Sequence, residues 1–170
     1  MNFNNKYITY NQNALVQKEL ANDLLSLLKI NSTSKYSSMF EIGCGTGIFT
    51  KLFINSYNPS LIILNDIFDT TTYLTDINYE KFIKGNIENL NIPKVDIIVS
   101  SSVFQWINDL EKLLYLISKN TNELAFSLYI KDNLLEIKKH FGISLNYLSF
   151  NDIYFLPNAS VKPLNLFMGI

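Results

Sequence analysis

The feature that most constrains this chain is a short apolar run that empties directly into glycines. Met39-Phe40-Glu41-Ile42 is followed at once by Gly43-Cys44-Gly45-Thr46-Gly47, and then by a helix-periodic stretch from Ile48 to Tyr57 that Pro59 stops. This reads as a buried strand, a tight turn and a helix. Glycines let the backbone turn sharply and let a ligand approach without meeting a Cβ. The helix that follows points free N–H groups at whatever sits above the strand end, the usual ligand position in a doubly wound sheet. A dinucleotide fingerprint needs Gly-x-Gly-x-x-Gly. Here Ile48 stands where the third glycine belongs and Gly47 arrives one place early, so a nicotinamide or flavin cofactor is disfavoured.

The rest of the chain alternates around that unit. Ala14, Leu15, Leu20, Ala21, Leu24, Leu25 and Leu28 fall at helical spacing over residues 11–29, before a polar break at Asn31-Ser32-Thr33-Ser34. Leu61-Ile62-Ile63-Leu64 is a continuous apolar run, as expected of a parallel strand covered on both faces. The pattern predicts a helix near 69–76, a strand near 81–84, a strand over Val95–Val99, a helix over Leu110–Ile117 and a strand over Leu124–Ile130. A helix over Leu134–Phe141 and a closing edge strand over Leu164–Ile170 follow. Strands alternating with helices imply an α/β fold: a Rossmann-like, mostly parallel sheet with helices on both faces. No linker divides it, so residues 1–170 are expected to form a single domain. An N-terminal cap-helix region (1–30) precedes a ligand-binding core (36–130) and a C-terminal part (131–170).

Composition removes several functions. Hydrophobic residues make up 48% of the chain and aromatics 14%, enough for an ordered core. The net charge is -1 and the 14 basic residues are all lysines, which argues against a nucleic-acid binder relying on bulk positive charge. The single cysteine, Cys44, permits no internal disulfide and fits a reducing compartment. Met1-Asn2-Phe3-Asn4-Asn5-Lys6 lacks the apolar run of a signal peptide, and no stretch approaches the ~20 apolar residues of a membrane span. The expected location is therefore the cytoplasm. No His/Cys/Asp cluster has metal spacing, and no Ser-x-x-Lys or Gly-x-Ser-x-Gly element supports a covalent nucleophile. His140, the sole histidine, is expected to serve at the surface or in the core. No catalytic side chain is expected, only residues that position.

Two further positions complete the candidate site. Asp66 follows the Leu61–Leu64 run, ~20 residues past the glycine loop, where an acid accepts hydrogen bonds from both hydroxyls of a ribose; it also suits a helix N-cap. Gly85-Asn86-Ile87 follows the third strand, where an adenine amino group is commonly read.

Together these residues resemble the class I S-adenosylmethionine-dependent methyltransferases. More narrowly they resemble the malonyl-acyl-carrier-protein O-methyltransferases of biotin synthesis, over roughly residues 3 to 130. Phe3-Asn4-Asn5-Lys6-Tyr7-Ile8-Thr9-Tyr10-Asn11, with Ala14 and Gln17, looks like that family's opening segment and first helix. Gly85-Asn86-Ile87-Glu88-Asn89-Leu90 is similar to its Gly-Asp-Ile-Glu-x-Leu turn. The most specific stretch is Ser100-Ser101-Ser102-Val103-Phe104-Gln105-Trp106-Ile107-Asn108-Asp109-Leu110, which resembles the family's segment ending in Gln-Trp before a Leu-rich helix.

The resemblance implies S-adenosyl-L-methionine as cofactor, bound by Glu41, Gly43, Cys44, Gly45, Gly47, Asp66, Ile67, Asn86, Ile87 and Ser100. Glu41 would lie near its sulfonium and amino-acid end. Phe104 and Trp106 would wall the pocket, although Trp106 also suits a core anchor. Tyr7 and Tyr10 would belong to a cap over cofactor and substrate, or stand as surface aromatics. The implied reaction is methylation of the free carboxyl of malonyl-acyl-carrier protein, which needs no general base because a carboxyl with a pKa near ~4 is already ionised. Lys6, Lys112, Lys119, Lys131, Lys138 and Lys139 are candidates for docking an acidic carrier. The alternatives are another small-molecule O- or N-methyltransferase, or a cofactor-binding protein of low activity.

The chain also departs from the family. Asn86 replaces the usual Asp, though an amide still accepts a hydrogen bond. No Arg is present to grip a malonyl carboxylate, leaving Lys, Tyr or backbone groups. The stretch after Ile130 is shorter than the family's lid insertion, so a reduced or missing lid is expected.

Overall fold

The computed structural model describes residues 15–129 and the backbone of residues 165–169. Helix α1 spans Leu15–Asn31, β1 Ser38–Ile42, α2 Ile48–Tyr57, β2 Leu61–Asp66, β3 Lys81–Lys84, β4 Ile97–Ser101, α3 Leu110–Ser118, β5 Glu123–Ser127 and β6 Asn165–Gly169. The strands form one sheet in the order β3-β2-β1-β4-β5-β6, every pair parallel. The chain starts in the middle at β1, winds outward to β3, and then returns to place β4 on the other side of β1. The β1/β4 junction is therefore a topological switch point, and a crevice opens above the carboxyl ends of those two strands.

Strand alternation divides the core between two faces. Met39 of β1, Ile97 and Val99 of β4, and Ala125 of β5 meet Ala21, Leu24, Leu25 and Leu28 of α1 and Phe49 and Phe53 of α2. Phe40, Ile42, Ile98, Leu124 and Phe126 turn the other way, onto Leu110, Leu113, Leu114 and Ile117 of α3. Both helix sets carry their apolar residues at i, i+3, i+4 and i+7 spacing, the stripe that covers a sheet. Among the described residues, no helix is long and apolar enough to cross a membrane.

The sequence pattern and the structure differ in two places. The helix expected near 69–76 is only a 3-10 turn at Thr71–Tyr73. Asp69 Oδ1 accepts from Thr71 N–H (3.2 Å) and Thr71 Oγ1 (2.7 Å), and such side-chain bonds draw the backbone out of a helix. Strand β4 begins two residues later than Val95. Val95 N–H is spent on Asn120 C=O, and the Asp96 carboxylate accepts from Ser37 and Ser38 N–H. The expected helix 134–141 and the segment 142–161 lie outside the described residues.

Candidate cofactor pocket at the switch point

The glycine loop is built from three left-handed residues: Gly43, Gly45 and Gly47 at φ 72°, 52° and 78°. They serve different ends. A Cβ on Gly43 would sit 2.3 Å from Val103 Cγ2, so this glycine lets the segment after β4 close against β1. A Cβ on Gly45 would meet nothing within 4 Å, because Gly45 faces the open crevice. Gly47 is the N-cap of α2 and packs on Ile77 and Leu74. The loop is tied down by Cys44 N–H to Asn65 C=O (2.9 Å) and Gly47 N–H to Cys44 C=O (2.8 Å).

Asp66 ends β2 beside this loop. One carboxylate oxygen accepts from Gly45 N–H (2.8 Å) and the other from Phe68 N–H (3.0 Å). A carboxylate has about four lone-pair sites, so each oxygen retains acceptor capacity toward the crevice. Asn65, which the sequence reading passed over, donates through Nδ2 to Ile83 C=O (2.8 Å) and Gly85 C=O (3.0 Å) and so fixes the turn after β3. In that turn Asn86 Oδ1 accepts from Glu88 N–H (3.0 Å). Asn86 is thus the cap of a short 3-10 turn as well as a pocket residue.

Glu88 is a second residue whose role sequence alone did not show. Its carboxylate accepts from Asn108 N–H (3.2 Å), Asn108 Nδ2 (2.9 Å) and Asp109 N–H (3.1 Å). Partial burial raises its pKa, but the Asp109 and Asn108 donors outweigh that and hold it below the usual carboxylate range.

These elements enclose a cavity of about 750 Å³, within the usual range for a small-molecule site. Of the sequence candidates, Glu41, Gly43, Cys44, Gly45, Asp66, Ile67, Asn86, Ile87 and Trp106 line it. Gln17 and Ala21 of α1 close one side. Trp106 is 61% exposed at the mouth and is no core anchor.

Three expected contacts are corrected. Ser100 lies inside β4 and is fully buried, donating to Ile42 C=O (3.0 Å), while Ser101 and Ser102 take the wall. Phe104 is buried against Phe126, ring centroids 5.0 Å apart, on the α3 side of the sheet. Gly47 acts through the helix cap and not on the wall. Tyr7 and Tyr10 lie outside the described residues.

The cavity floor is acidic. Glu41 is 1% exposed and accepts from Thr50 Oγ1 at 2.5 Å. Burial pushes its pKa up to about 8; the Thr50 hydroxyl opposes this and the Asp66 charge adds to it. Burial also raises Asp66, against the N–H donors of Phe68, Gly45 and Ile67. No lysine lines the cavity among the described residues. Two buried acids without a nearby cation suit a ligand that carries positive charge and presents hydroxyls. Cys44 is a wall residue whose thiol burial pushes up, out of reach of thiolate chemistry at neutral pH.

The raised Glu41 pKa has a thermodynamic consequence. Between 4.5 and about 8 the folded state holds a proton that the unfolded chain has released, so stability falls as pH rises through that window. Glu41→Gln is expected to flatten most of this slope in thermal melts from about pH 5 to about pH 9, with Asp66 supplying a residue of it. Parallel profiles for the two proteins would show that Glu41 titrates as an ordinary carboxylate.

Fold and site together define a class. Residues 40–120 match the family model described as a methyltransferase domain, and the chain carries a class I methyltransferase domain. Its sequence is similar to malonyl-[acyl-carrier protein] O-methyltransferases. With that of Calditerrivibrio nitroreducens it shares 39% identity, covering 89% of this chain and 62% of that protein. With that of Acinetobacter baylyi it shares 34%, covering 85% and 58%. The chain thus spans about three fifths of the length of these curated relatives. Among solved structures, the plantazolicin methyltransferase BpumL in complex with a monoazolic desmethylPZN analog and SAH superposes with TM-score 0.69 at 14% identity, covering 90% of this chain and 66% of that one. An S-adenosylmethionine-dependent methyltransferase from Clostridium acetobutylicum gives 0.62 at 18%, covering 80% and 61%.

Proposed function

We propose that this chain binds S-adenosylmethionine in the switch-point cavity and transfers its methyl group to the free carboxyl of a malonyl thioester on acyl-carrier protein. The observation that carries the cofactor reading is Asp66: a buried carboxylate, locked by Gly45 and Phe68 N–H, with acceptor capacity left toward the crevice. That is the geometry for two ribose hydroxyls. Ile67 and Ile87 offer apolar faces for a flat base, Asn86 offers an amide at its edge, and Glu41 supplies the acid for the cationic end. The acceptor reading rests on the malonyl-carrier relatives at 34–39% identity.

When bound, the cofactor supplies an electrophilic methyl on a positive sulfur and leaves as a neutral thioether. The acceptor carboxylate forms the new O–C bond as the S–C bond breaks, and no proton moves. Asp66 and the glycine loop hold the donor in place, and the Val103–Asn108 segment forms the wall facing the acceptor. Orientation of this kind contributes about 7–11 kcal/mol in well-aligned reactions. Lys112 and Lys119, both exposed on or beside α3, are a docking candidate for an acidic carrier.

The test is transfer of radiolabelled methyl from S-adenosylmethionine to malonyl-loaded carrier protein, read as a base-labile ester on the carrier. Label on the malonyl carrier but not on the acetyl-loaded carrier is the expected result. Cofactor binding without label on any carrier would refute the acceptor and leave the pocket standing.

A further inference from the structure

We propose that Glu88 is a positioning residue that clasps the acceptor wall of the cavity to its cofactor wall. The proposal rests on the methyltransferase reading above for its functional meaning, while its structural part stands without it. Glu88 belongs to the turn after β3, where Asn86 and Ile87 line the cofactor side. Its carboxylate, however, is directed 20 residues along the chain, to Asn108 and Asp109, which end the segment after β4. Three hydrogen bonds converge on it from that segment, and Asn86 Nδ2 approaches it at 3.4 Å from its own turn. No lysine side chain pairs with it, so the bonds are all of the kind in which a carboxylate gathers neutral donors. Such charge-assisted bonds are roughly twice as strong as neutral ones.

The segment it holds needs an anchor. Ser102 sits at φ 60°, an uncommon backbone state for a residue with a side chain. Just beyond it, Trp106 and Ile107 face the cavity mouth. Asp109 then caps α3, accepting from Lys112 N–H at 3.0 Å. Glu88 therefore fixes the point where the mouth segment joins the helix, and sets how far Trp106 stands from the adenine turn. Loss of the clasp would loosen the acceptor wall and leave the Asp66 side intact.

Trp106 is the only tryptophan in the chain, so it reports on this segment directly. In Glu88→Ala, acrylamide quenching of Trp106 is expected to increase and its fluorescence anisotropy to fall, with no cofactor or acceptor present. Affinity for S-adenosylhomocysteine should stay within about threefold, while the KM for the malonyl carrier rises by about tenfold. Glu88→Gln keeps the side-chain shape but turns one accepting oxygen into a donor facing Asn108, and is expected to act in the same direction. Asn108→Ala removes the clasp from the other side and should reproduce the Trp106 change. Unchanged Trp106 quenching in folded Glu88→Ala and Glu88→Gln would overturn the proposal. So would cofactor affinity falling as far as the acceptor KM rises, which would make Glu88 part of the cofactor site. The Trp106 readout needs no methyl transfer, so it separates failure of the clasp from failure of the methyltransferase reading.

Discussion

Asp66→Ala is expected to lower affinity for S-adenosylhomocysteine by 100-fold or more, on the order of two hydrogen bonds to an ionised acceptor at about 1.5–3 kcal/mol each. The carboxylate is 7% exposed and already engaged by Gly45 and Phe68 N–H, so its position is set before the ligand arrives. Preorganisation of that kind strengthens binding because little ordering is left to do. Asp66→Asn is an informative companion. It retains the shape but has one accepting oxygen where two are in use, so either a loop N–H or a ribose hydroxyl loses its partner. Removing an acid whose burial disfavours its charge should leave the melting temperature of the empty protein unchanged or higher. A loss of affinity without loss of fold therefore assigns Asp66 to binding. Calorimetry of the two variants beside the wild type measures this, and unaltered affinity in Asp66→Ala would remove Asp66 from the site.

Gly43→Ala should cost more in stability than any other single change in the loop. The residue sits at φ 72°, and its new Cβ would lie 2.3 Å from Val103 Cγ2 and 3.1 Å from Val103 Cβ. Left-handed backbone costs a non-glycine residue about 1–2 kcal/mol, and overpacking adds about 1–3 kcal/mol. Val103 is β-branched and stiff at χ1, so it cannot swing aside as a leucine tip would. The sum is a large share of the about 5–15 kcal/mol by which domains are stable. A fall of roughly 5–15 °C in melting temperature follows.

Val103→Ala in the Gly43→Ala background should recover the packing part and leave the backbone part. Gly45→Ala gives a contrast. Its Cβ meets no protein atom, so it should melt closer to wild type yet weaken ligand binding by filling the crevice. Equal melting temperatures for Gly43→Ala and the wild type would refute the close approach of the β4 segment to β1.

The parts of the site legible in sequence were those carried by one local signal. Gly43, Gly45 and Gly47 announced a turn because their spacing after an apolar run has few other uses. Asp66 was legible because a charge ended the next apolar run. The misreadings have physical causes. Residues 69–76 carry apolar positions at helical spacing, but the Asp69 and Thr71 side chains compete for the backbone. Ser100 was placed in a loop because β4 was read two residues early; the Asp96 bonds to Ser37 and Ser38 that delay the strand join residues nearly 60 positions apart, and no periodicity carries them. Phe104 and Trp106 were assigned one wall together. They fall on a 3-10 turn, where side chains two apart point in different directions; Phe104 goes to the core and Trp106 to the mouth. Glu88 looked like one letter of a motif because its partners, Asn108 and Asp109, meet it only in the folded chain.

The most direct measurement of the central claim is calorimetric titration of the purified chain with S-adenosylhomocysteine, run beside reduced nicotinamide dinucleotide. The account predicts one molecule of S-adenosylhomocysteine bound per chain, a melting temperature that rises with its concentration, and no heat from the nicotinamide. A folded chain that takes up neither ligand, or that prefers the nicotinamide, would contradict it.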